Sequence, residues 1–396
     1  MSGRIRPLLL ALLAALLAAD APAQAERPKH RKDRCSFCDH DPEVLARNKM
    51  HHGPFPFART DSLAIAEEGV WEPTLLETEH FRILGDFPKW KVEADEIKVY
   101  RAELEALMDR WPEVKSKQGT LDPWYRIHLL GERLETLYSR FLQLTGSKEE
   151  DFLDPERNLM RGIGRYLGQH EKYEVMVFED ANPYREFMRN TWGLGYLKPQ
   201  CWNNVDRSSL WFGVNLETDV IHHDKHLSAV VIHNIGHNML NGYMHYSYEV
   251  PVWLYAGIGH WAEKSFDGRF DTFCSIEGNL DVGKATHDWA PQVRKMLMKG
   301  RGASFAQLIR KKSLAEIGYE DHLISWSKFD FLVQHKPEAF GAWLTELKTR
   351  KDANGFPDGT NMDEAQRNGF KEHFGWTLAK AEEEWQEWVK ATYPVK

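Results

Sequence analysis

Beyond its N-terminus the chain lacks an apolar run of about 18 residues, the length expected of a membrane-spanning helix. It also lacks an excess of basic residues, since 51 Lys and Arg face 59 Asp and Glu and the formal net charge is -8. Nucleic-acid binding needs a basic face to neutralise phosphates, so this balance argues against it. We therefore expect no transmembrane segment in the mature chain and no nucleic-acid partner.

The N-terminus differs from the rest of the chain. Arg4 and Arg6 precede an unbroken Leu/Ala run over 8–19, and Ala23-Gln24-Ala25 follows it. This order is typical of a cleaved signal peptide, and the run is shorter than the about 20 residues of a membrane-spanning helix. The sequence predicts a signal peptide over 1–25 and export to the periplasm or outside the cell. The alternative is an uncleaved membrane anchor.

The remaining composition is that of a globular protein, with 42% hydrophobic and 28% charged residues. Its 15 Trp, 13 Tyr and 20 Phe indicate a thick core and an aromatic-lined groove. Charged residues and the turn formers around Gly53 suggest that 26–75 is a Cys/His-containing extension. We predict a domain over 76–396, divided into 76–242 and 243–396.

Cysteine is scarce, with four residues in a chain that we expect to be exported. Disulfides are permitted there, and a first pairing is Cys201 with Cys274 and Cys35 with Cys38. The alternative for Cys35-x-x-Cys38 is a metal knuckle completed by a histidine, although adjacent histidines lack zinc-finger spacing. A haem-attachment motif is excluded because Asp39 stands where it needs histidine. The candidate histidines for the knuckle are His40, His51 and His52.

Apolar periodicity predicts an α+β fold in which a small mixed sheet precedes a mostly helical C-terminal half. Asp224 is expected to cap the helix that carries the most informative motif. The predicted strands are 79–84, 173–178 and 209–215, and the predicted helices are 94–111, 124–144 and 224–241, with helices following Pro251.

That motif is His233-Asn-Ile-Gly-His237. Histidines four apart on a helix project from one face, so both imidazoles can reach one metal ion. His226 falls on the same face but about 10 Å from His233, too far to share the ion. The spacing is weak evidence by itself, but a second block, Pro251-Val-Trp253-Leu254-Tyr-Ala256-Gly257, follows closely.

Together the two blocks resemble the gluzincin (peptidase MA-like) zinc metallopeptidases, over roughly residues 76–393. The resemblance implies a zincin-like fold in which an H-E-x-x-H helix is followed by a helix supplying a third ligand, a glutamate. Here Asn234 occupies the position of the general base and Ala256 that of the third ligand. An amide cannot take a proton from metal-bound water, and a methyl group cannot coordinate zinc.

The first hypothesis is therefore an exported pseudopeptidase that binds a peptide or protein segment in the inherited cleft. Peptides in gluzincins add along a sheet edge, and such β-augmentation needs no catalyst. Residues 209–215 are the candidate edge. The predicted cleft residues are Trp211, Phe212, Asn234 and Ala256.

The second hypothesis is an active zinc hydrolase with rearranged ligands. His260 lies one turn beyond Ala256, and three histidines are a known zinc set. His233, His237 and His260 would hold the ion, and Glu263 or Glu249 would activate water. A third hypothesis is a structural envelope-associated protein that residues 26–75 tether.

Overall fold

The computed structural model describes residues 34–395 apart from 69–72, 153–161, 219, 222, 246–249 and 278–286. The predicted signal peptide and Glu249 lie outside the described residues. The described part contains α-helices, one five-stranded mixed sheet and two small strand pairs. This confirms the predicted α+β class. No helix in these ranges is both long and apolar enough to cross a membrane.

All the described strands lie before residue 216, and the C-terminal half is mostly helical, as the sequence predicts. The strands are β1 (Pro56–Phe57), β2 (Thr60–Asp61), β3 (Thr74–Glu77), β4 (Phe81–Gly85), β5 (Trp90–Lys91), β6 (Thr120–Leu121), β7 (Tyr173–Phe178), β8 (Gln200–Asn204) and β9 (Ser209–Asn215). The helices are α1 (Pro42–Arg47), α2 (Ser62–Glu68), α3 (Ile97–Glu105), α4 (Pro123–Thr145), α5 (Ala181–Trp192), α6 (Asp224–Tyr243), α7 (Val252–Phe266), α8 (Trp289–Met298), α9 (Phe305–Leu308), α10 (Tyr319–His335), α11 (Pro337–Thr349), α12 (Met362–Phe374) and α13 (Leu378–Thr392).

The five-stranded sheet has the order β3-β4-β7-β9-β8. The pairs β4–β7 and β7–β9 are parallel, whereas the outer pairs β3–β4 and β8–β9 are antiparallel. Side chains alternate between two cores: Val175 and Phe212 face the large core with α4 and α6, while Met176 and Trp211 face a smaller core with α5. Both faces of the sheet are therefore covered.

The expectation that 209–215 forms the sheet edge is wrong. These residues do form a strand, β9, but it lies between β7 and β8. The edge is β8, which reaches the end of the sheet because it pairs back antiparallel on β9 from Gln200 to Asn204. Gly213 is required within β9, since a Cβ there would lie 1.9 Å from the ring of Trp211.

Both ends of helix α4 carry residues that commonly begin or end helices. Asp122 caps it by accepting from the Tyr125 amide at 3.0 Å, Pro123 opens it, and Gly146 closes it in the left-handed region at φ 64°. For α6 the predicted cap is wrong. His223 is the cap, because the Asp224 carboxylate is occupied by Arg126 and Arg133.

The described part of the predicted extension, 34–68 and 73–75, is folded into the body of the molecule. Phe37, Leu45 and Met50 belong to the large core together with residues of α4. Phe55 and Phe57 belong to the smaller core on the opposite face of the sheet. The segment therefore contacts both faces of the sheet.

Candidate metal centre and adjoining cavity

The three predicted histidine ligands lie together in the interior. His233 and His237 stand one turn apart on α6, with ring centroids 4.6 Å apart. His260 comes from α7, and its ring centroid lies 4.7 Å from that of His233. All three side chains are fully buried. The helical spacing predicted the first pair, and the packing of α7 on α6 supplies the third imidazole.

Glycine allows α7 to approach these rings. A Cβ on Gly259 would lie 2.3 Å from His237 Nε2 and 3.0 Å from His233 Cε1. Real Cβ contacts do not approach so closely, so either the histidines or the helix would have to move. The small residue next to His260 therefore makes room for the histidines of α6.

A carboxylate that the sequence analysis did not identify completes the cluster. Glu277 ends a short 3₁₀ helix, Ser275–Glu277, and is buried. Its Oε2 lies 3.1 Å from His233 Nε2, and its Oε1 lies 3.7 Å from His237 Nε2. The Cys274 amide donates to Oε2 at 2.8 Å, which fixes the carboxylate. Glu277 thus places a buried carboxylate beside the two histidines of α6.

Further polar side chains surround this group. His322 on α10 places Nδ1 3.6 Å from Glu277 Oε1 and 3.0 Å from His260 Nε2. Glu263 lies behind the histidines, 3.5 Å from His233 Nδ1 and 3.9 Å from His260 Nδ1. Carboxylates in that position orient metal-binding imidazoles so that Nε2 faces the ion. The Thr272 amide and hydroxyl donate to Glu263 and hold it there.

The protonation states of the cluster are strongly coupled. Burial alone would lower the pKa of His233, but Glu277 and Glu263 outweigh it and raise that pKa to about 9. Burial lowers the pKa of His237 and His260, and it lowers the pKa of His322 to about 3. Burial would raise the pKa of Glu277, yet the neighbouring histidines hold it well below its usual value. Most of the imidazoles are therefore neutral beside ionised carboxylates.

This donor set fits a divalent metal ion. Glu277 Oε1 and His237 Nε2 are both buried, and neither has a hydrogen-bond partner among the described residues. Buried polar atoms rarely stay unpaired, and a shared ligand is one way to satisfy them. His233, His237, Glu277 and the Cys274 thiol have ligand atoms within 4.8 Å of one another. Imidazole, carboxylate and thiolate together are ligands typical of zinc.

At the two positions where the chain departs from the pattern described above, the side chains pack or hydrogen-bond within the protein interior. The Asn234 amide donates to the Val230 carbonyl at 2.9 Å, and its Oδ1 lies 3.5 Å from the Cys201 sulfur. Ala256 is fully buried in α7. Glu263, a candidate base, is already committed to Thr272 and the histidines. None of these three side chains is free to activate water.

A cavity of about 590 Å³ adjoins the cluster. It runs from the edge strand β8 to the C-terminal half of α6. Tyr255 lines it, and the ring of Tyr255 stacks on His237 with centroids 3.9 Å apart. The predicted cleft residues do not line it, and all four are fully buried: Trp211, Phe212, Asn234 and Ala256. Its lining includes Cys201, Trp202, Val205, Asn238, Asn241 and Ile276.

The expected disulfides are not formed. All four cysteines are free thiols, and the sulfurs of Cys35 and Cys38 lie 3.5 Å apart, well beyond the about 2.05 Å of a disulfide. Cys201 and Cys274 instead contact Asn234 and His237 respectively.

No protein-family model matches the chain, and no curated protein matches it. The gluzincin resemblance therefore stays a prediction. Glu277 and His322 could not be found from sequence spacing, because neither lies at a regular interval from the histidines of α6. The only signal near Glu277 is its proximity to Cys274 in the sequence.

Proposed function

We propose that this protein holds a zinc ion at His233, His237 and Glu277 and binds an extended peptide beside it without cleaving it. When bound, the ion would crosslink α6 to the segment after α7. The zincin-like assignment and the pseudopeptidase reading of the sequence are both compatible with this role. Export is part of the same proposal, because the predicted signal peptide would place the cleft outside the cytoplasm.

The observation that carries the proposal is Asn238 beside the edge strand. Asn238 lines the cavity, and its buried Oδ1 has no hydrogen-bond partner among the described residues. Its amide nitrogen is 3.4 Å from the Trp211 carbonyl, which fixes the side chain. A carboxamide oxygen held in this way is suited to accept from a peptide N–H. Asn203 and Asn241 line the same cavity and offer the same chemistry.

The edge strand supplies the second part of the argument. Within the described part of the chain β8 pairs with one strand, β9, and its residues 201–203 line the cavity. An extended peptide can pair with such an edge through its backbone while its side chains enter adjoining pockets. The remaining lining is largely apolar, with Val205, Leu210 and Val250 among its residues. We therefore expect apolar side chains in the bound peptide.

Cleavage is disfavoured by the positions of the carboxylates. A water-activating base must lie within hydrogen-bond reach of metal-bound water. The Asn234 amide donates to the Val230 carbonyl. Glu263 lies near His233 Nδ1, whereas Glu277 lies near His233 Nε2. The His233, His237 and Glu277 side chains are also buried and do not line the cavity.

The test uses peptides selected from a random display library on the purified protein, with binding measured by fluorescence polarisation. Val205 lines the cavity and is 66% exposed, so Val205→Arg should obstruct it. Val220 is 63% exposed and does not line the cavity, which makes Val220→Arg a matched control. We expect binding to weaken about tenfold or more in the first variant, about 1.4 kcal/mol, and to be unchanged in the second.

The metal is tested separately by elemental analysis of the wild type and of Glu277→Gln. We expect one zinc fewer per chain in the variant, because an amide replaces an anionic ligand. Equal peptide binding by the two valine variants would refute the claim that the peptide binds in this cavity. Hydrolysis of the selected peptides by the wild type, lost in Glu277→Gln, would instead establish the hydrolase.

A further inference from the structure

Four donor side chains from three separate segments meet in a second buried cluster. Cys35 and Cys38 lie on the turn at the start of the described chain, His52 follows α1, and His128 lies in the first half of α4. Both cysteines and His128 are buried. The ligand atoms all lie within 4.8 Å of one another. None of these residues belongs to the centre formed by α6 and α7.

The distances match the edges of a zinc tetrahedron. Bonds of about 2.3 Å to sulfur and about 2.05 Å to nitrogen imply edges of about 3.8 Å between sulfurs, about 3.6 Å from sulfur to nitrogen and about 3.3 Å between nitrogens. The observed separations are 3.5 Å for Cys35 to Cys38 and 3.0 Å for His52 to His128. The sulfur-to-nitrogen separations are 3.6 Å for Cys35–His128, 3.8 Å for Cys38–His52 and 3.9 Å for Cys38–His128.

The neighbouring residues hold the two imidazoles in place. His40 Nδ1 lies 2.8 Å from His52 Nδ1, which leaves His52 Nε2 directed at the cysteines. Phe37 stacks on His128 with ring centroids 4.4 Å apart and planes at 8°. Trp111 contacts the same ring edge-on at 5.1 Å. A ligand set supported in this way is already oriented before an ion enters.

We propose that Cys35, Cys38, His52 and His128 bind a structural zinc ion. Four protein ligands and a buried setting leave no position for water, which is the arrangement of a structural rather than a catalytic site. The ion would fasten the segment 35–52 to α4, and so anchor the start of the folded chain on its longest helix. Of the histidines that the sequence offered for this knuckle, His52 is a ligand, His40 supports it and His51 is exposed.

The competing arrangement is a Cys35–Cys38 disulfide, which requires an oxidant to remove two electrons and two protons from the thiols. It would leave His52 Nε2 and His128 Nε2 facing each other with no shared ion. The two alternatives differ in mass, in zinc content and in thiol chemistry, so one set of measurements separates them.

The test begins with zinc analysis of the full chain carrying Glu277→Gln, which removes the first centre from the count. We expect about one zinc per chain in that background and none after adding Cys35→Ser. The control is Cys201→Ser, which alters a thiol outside both ligand sets and should leave the zinc in place. His52→Cys should retain the ion, because a thiolate can replace an imidazole in a four-coordinate zinc site.

Because Cys35→Ser could unfold the chain, the wild type provides a second test. Alkylation followed by peptide mass mapping should show Cys35 and Cys38 protected until a chelator removes the zinc. With cobalt in place of zinc, the thiolate charge-transfer band should persist in Cys274→Ser. A Cys35–Cys38 mass lower by two hydrogens, or alkylation unaffected by the chelator, would overturn the proposal. Loss of one zinc ion in Glu277→Gln, with Cys35 and Cys38 still protected from alkylation, would show that the two sites bind zinc independently.

Discussion

Asp224 is buried at the start of helix α6 and joins it to helix α4 through two ion pairs. The side chain is 3% exposed, and its carboxylate accepts from Arg126 Nε and Arg133 Nη1, each at 2.9 Å, and from the Tyr100 hydroxyl at 3.1 Å. Arg126 is itself buried, and its Nη2 has no partner among the described residues. Asp224→Asn would therefore leave Arg126 without its counter-charge. Breaking a buried ion pair in this way costs about 3–5 kcal/mol.

The same carboxylate makes stability depend on pH. Burial would raise the pKa of Asp224, but Arg133 and Arg126 outweigh it and lower the pKa from 3.8 to about 2. The folded state therefore binds this proton less readily than the unfolded state, and the resulting stability is present above pH 4. It is lost as the pH falls toward 2, by about 2 kcal/mol in total and by about half of that at pH 3.

The assay is urea unfolding followed by tryptophan fluorescence, at pH 7 and at steps down to pH 3. We expect Asp224→Asn to lower the free energy of unfolding at pH 7 and the difference from wild type to shrink in acid. Any loss of metal in acid affects both proteins, so the difference isolates Asp224. The control is Asp363→Asn, which alters an exposed pair with Lys312 at 3.7 Å and should cost less than about 1 kcal/mol. Equal effects of the two substitutions, or a difference independent of pH, would refute the reasoning.

Two further predictions concern other buried positions. Gly259→Ala should displace His237, lower the zinc content measured by elemental analysis and cost about 1–3 kcal/mol, whereas Gly268→Ala, with no atom within 4 Å of the new Cβ, should do neither. Burial lowers the pKa of Lys328 from 10.5 to about 8 despite its contact with Glu382. Since the unfolded state then binds the proton more tightly, the stability of wild type relative to Lys328→Met should rise between pH 8 and 10.5. A constant difference in unfolding experiments over that interval would contradict this.

Local patterns predicted the elements of this fold better than its contacts. The apolar spacing of α4 and the β-branched residues of β7 identify those elements because each signal lies within one segment. Edge and interior positions in the sheet depend on pairing between distant strands, so β9 was misplaced. For the same reason the sequence does not identify His128 as a candidate metal ligand. Nothing within α4 distinguishes it, and its partners lie near the start of the chain.

The candidate centre follows the same division. His233 and His237 are predictable from one helix, whereas Asn234 and Ala256 show only that the two positions of the motif lack a carboxylate. Glu277 was missed because it comes from a short segment outside both blocks and reaches the histidines only after α7 has folded onto α6. Sequence reasoning about a single motif cannot detect a ligand supplied from elsewhere.

The parallel pairing of β4 with β7 has a consequence for how the chain folds. Phe81 of β4 pairs with Tyr173 of β7. Helices α3 and α4 lie between these two strands in the sequence. Loop closure must precede that pairing, so sheets with such distant partners form slowly. During synthesis, which proceeds from the N-terminus, β4 is made long before β7. During that interval the apolar residues of β4 need protection from other chains, either by helix α4 packing early against them or by a chaperone.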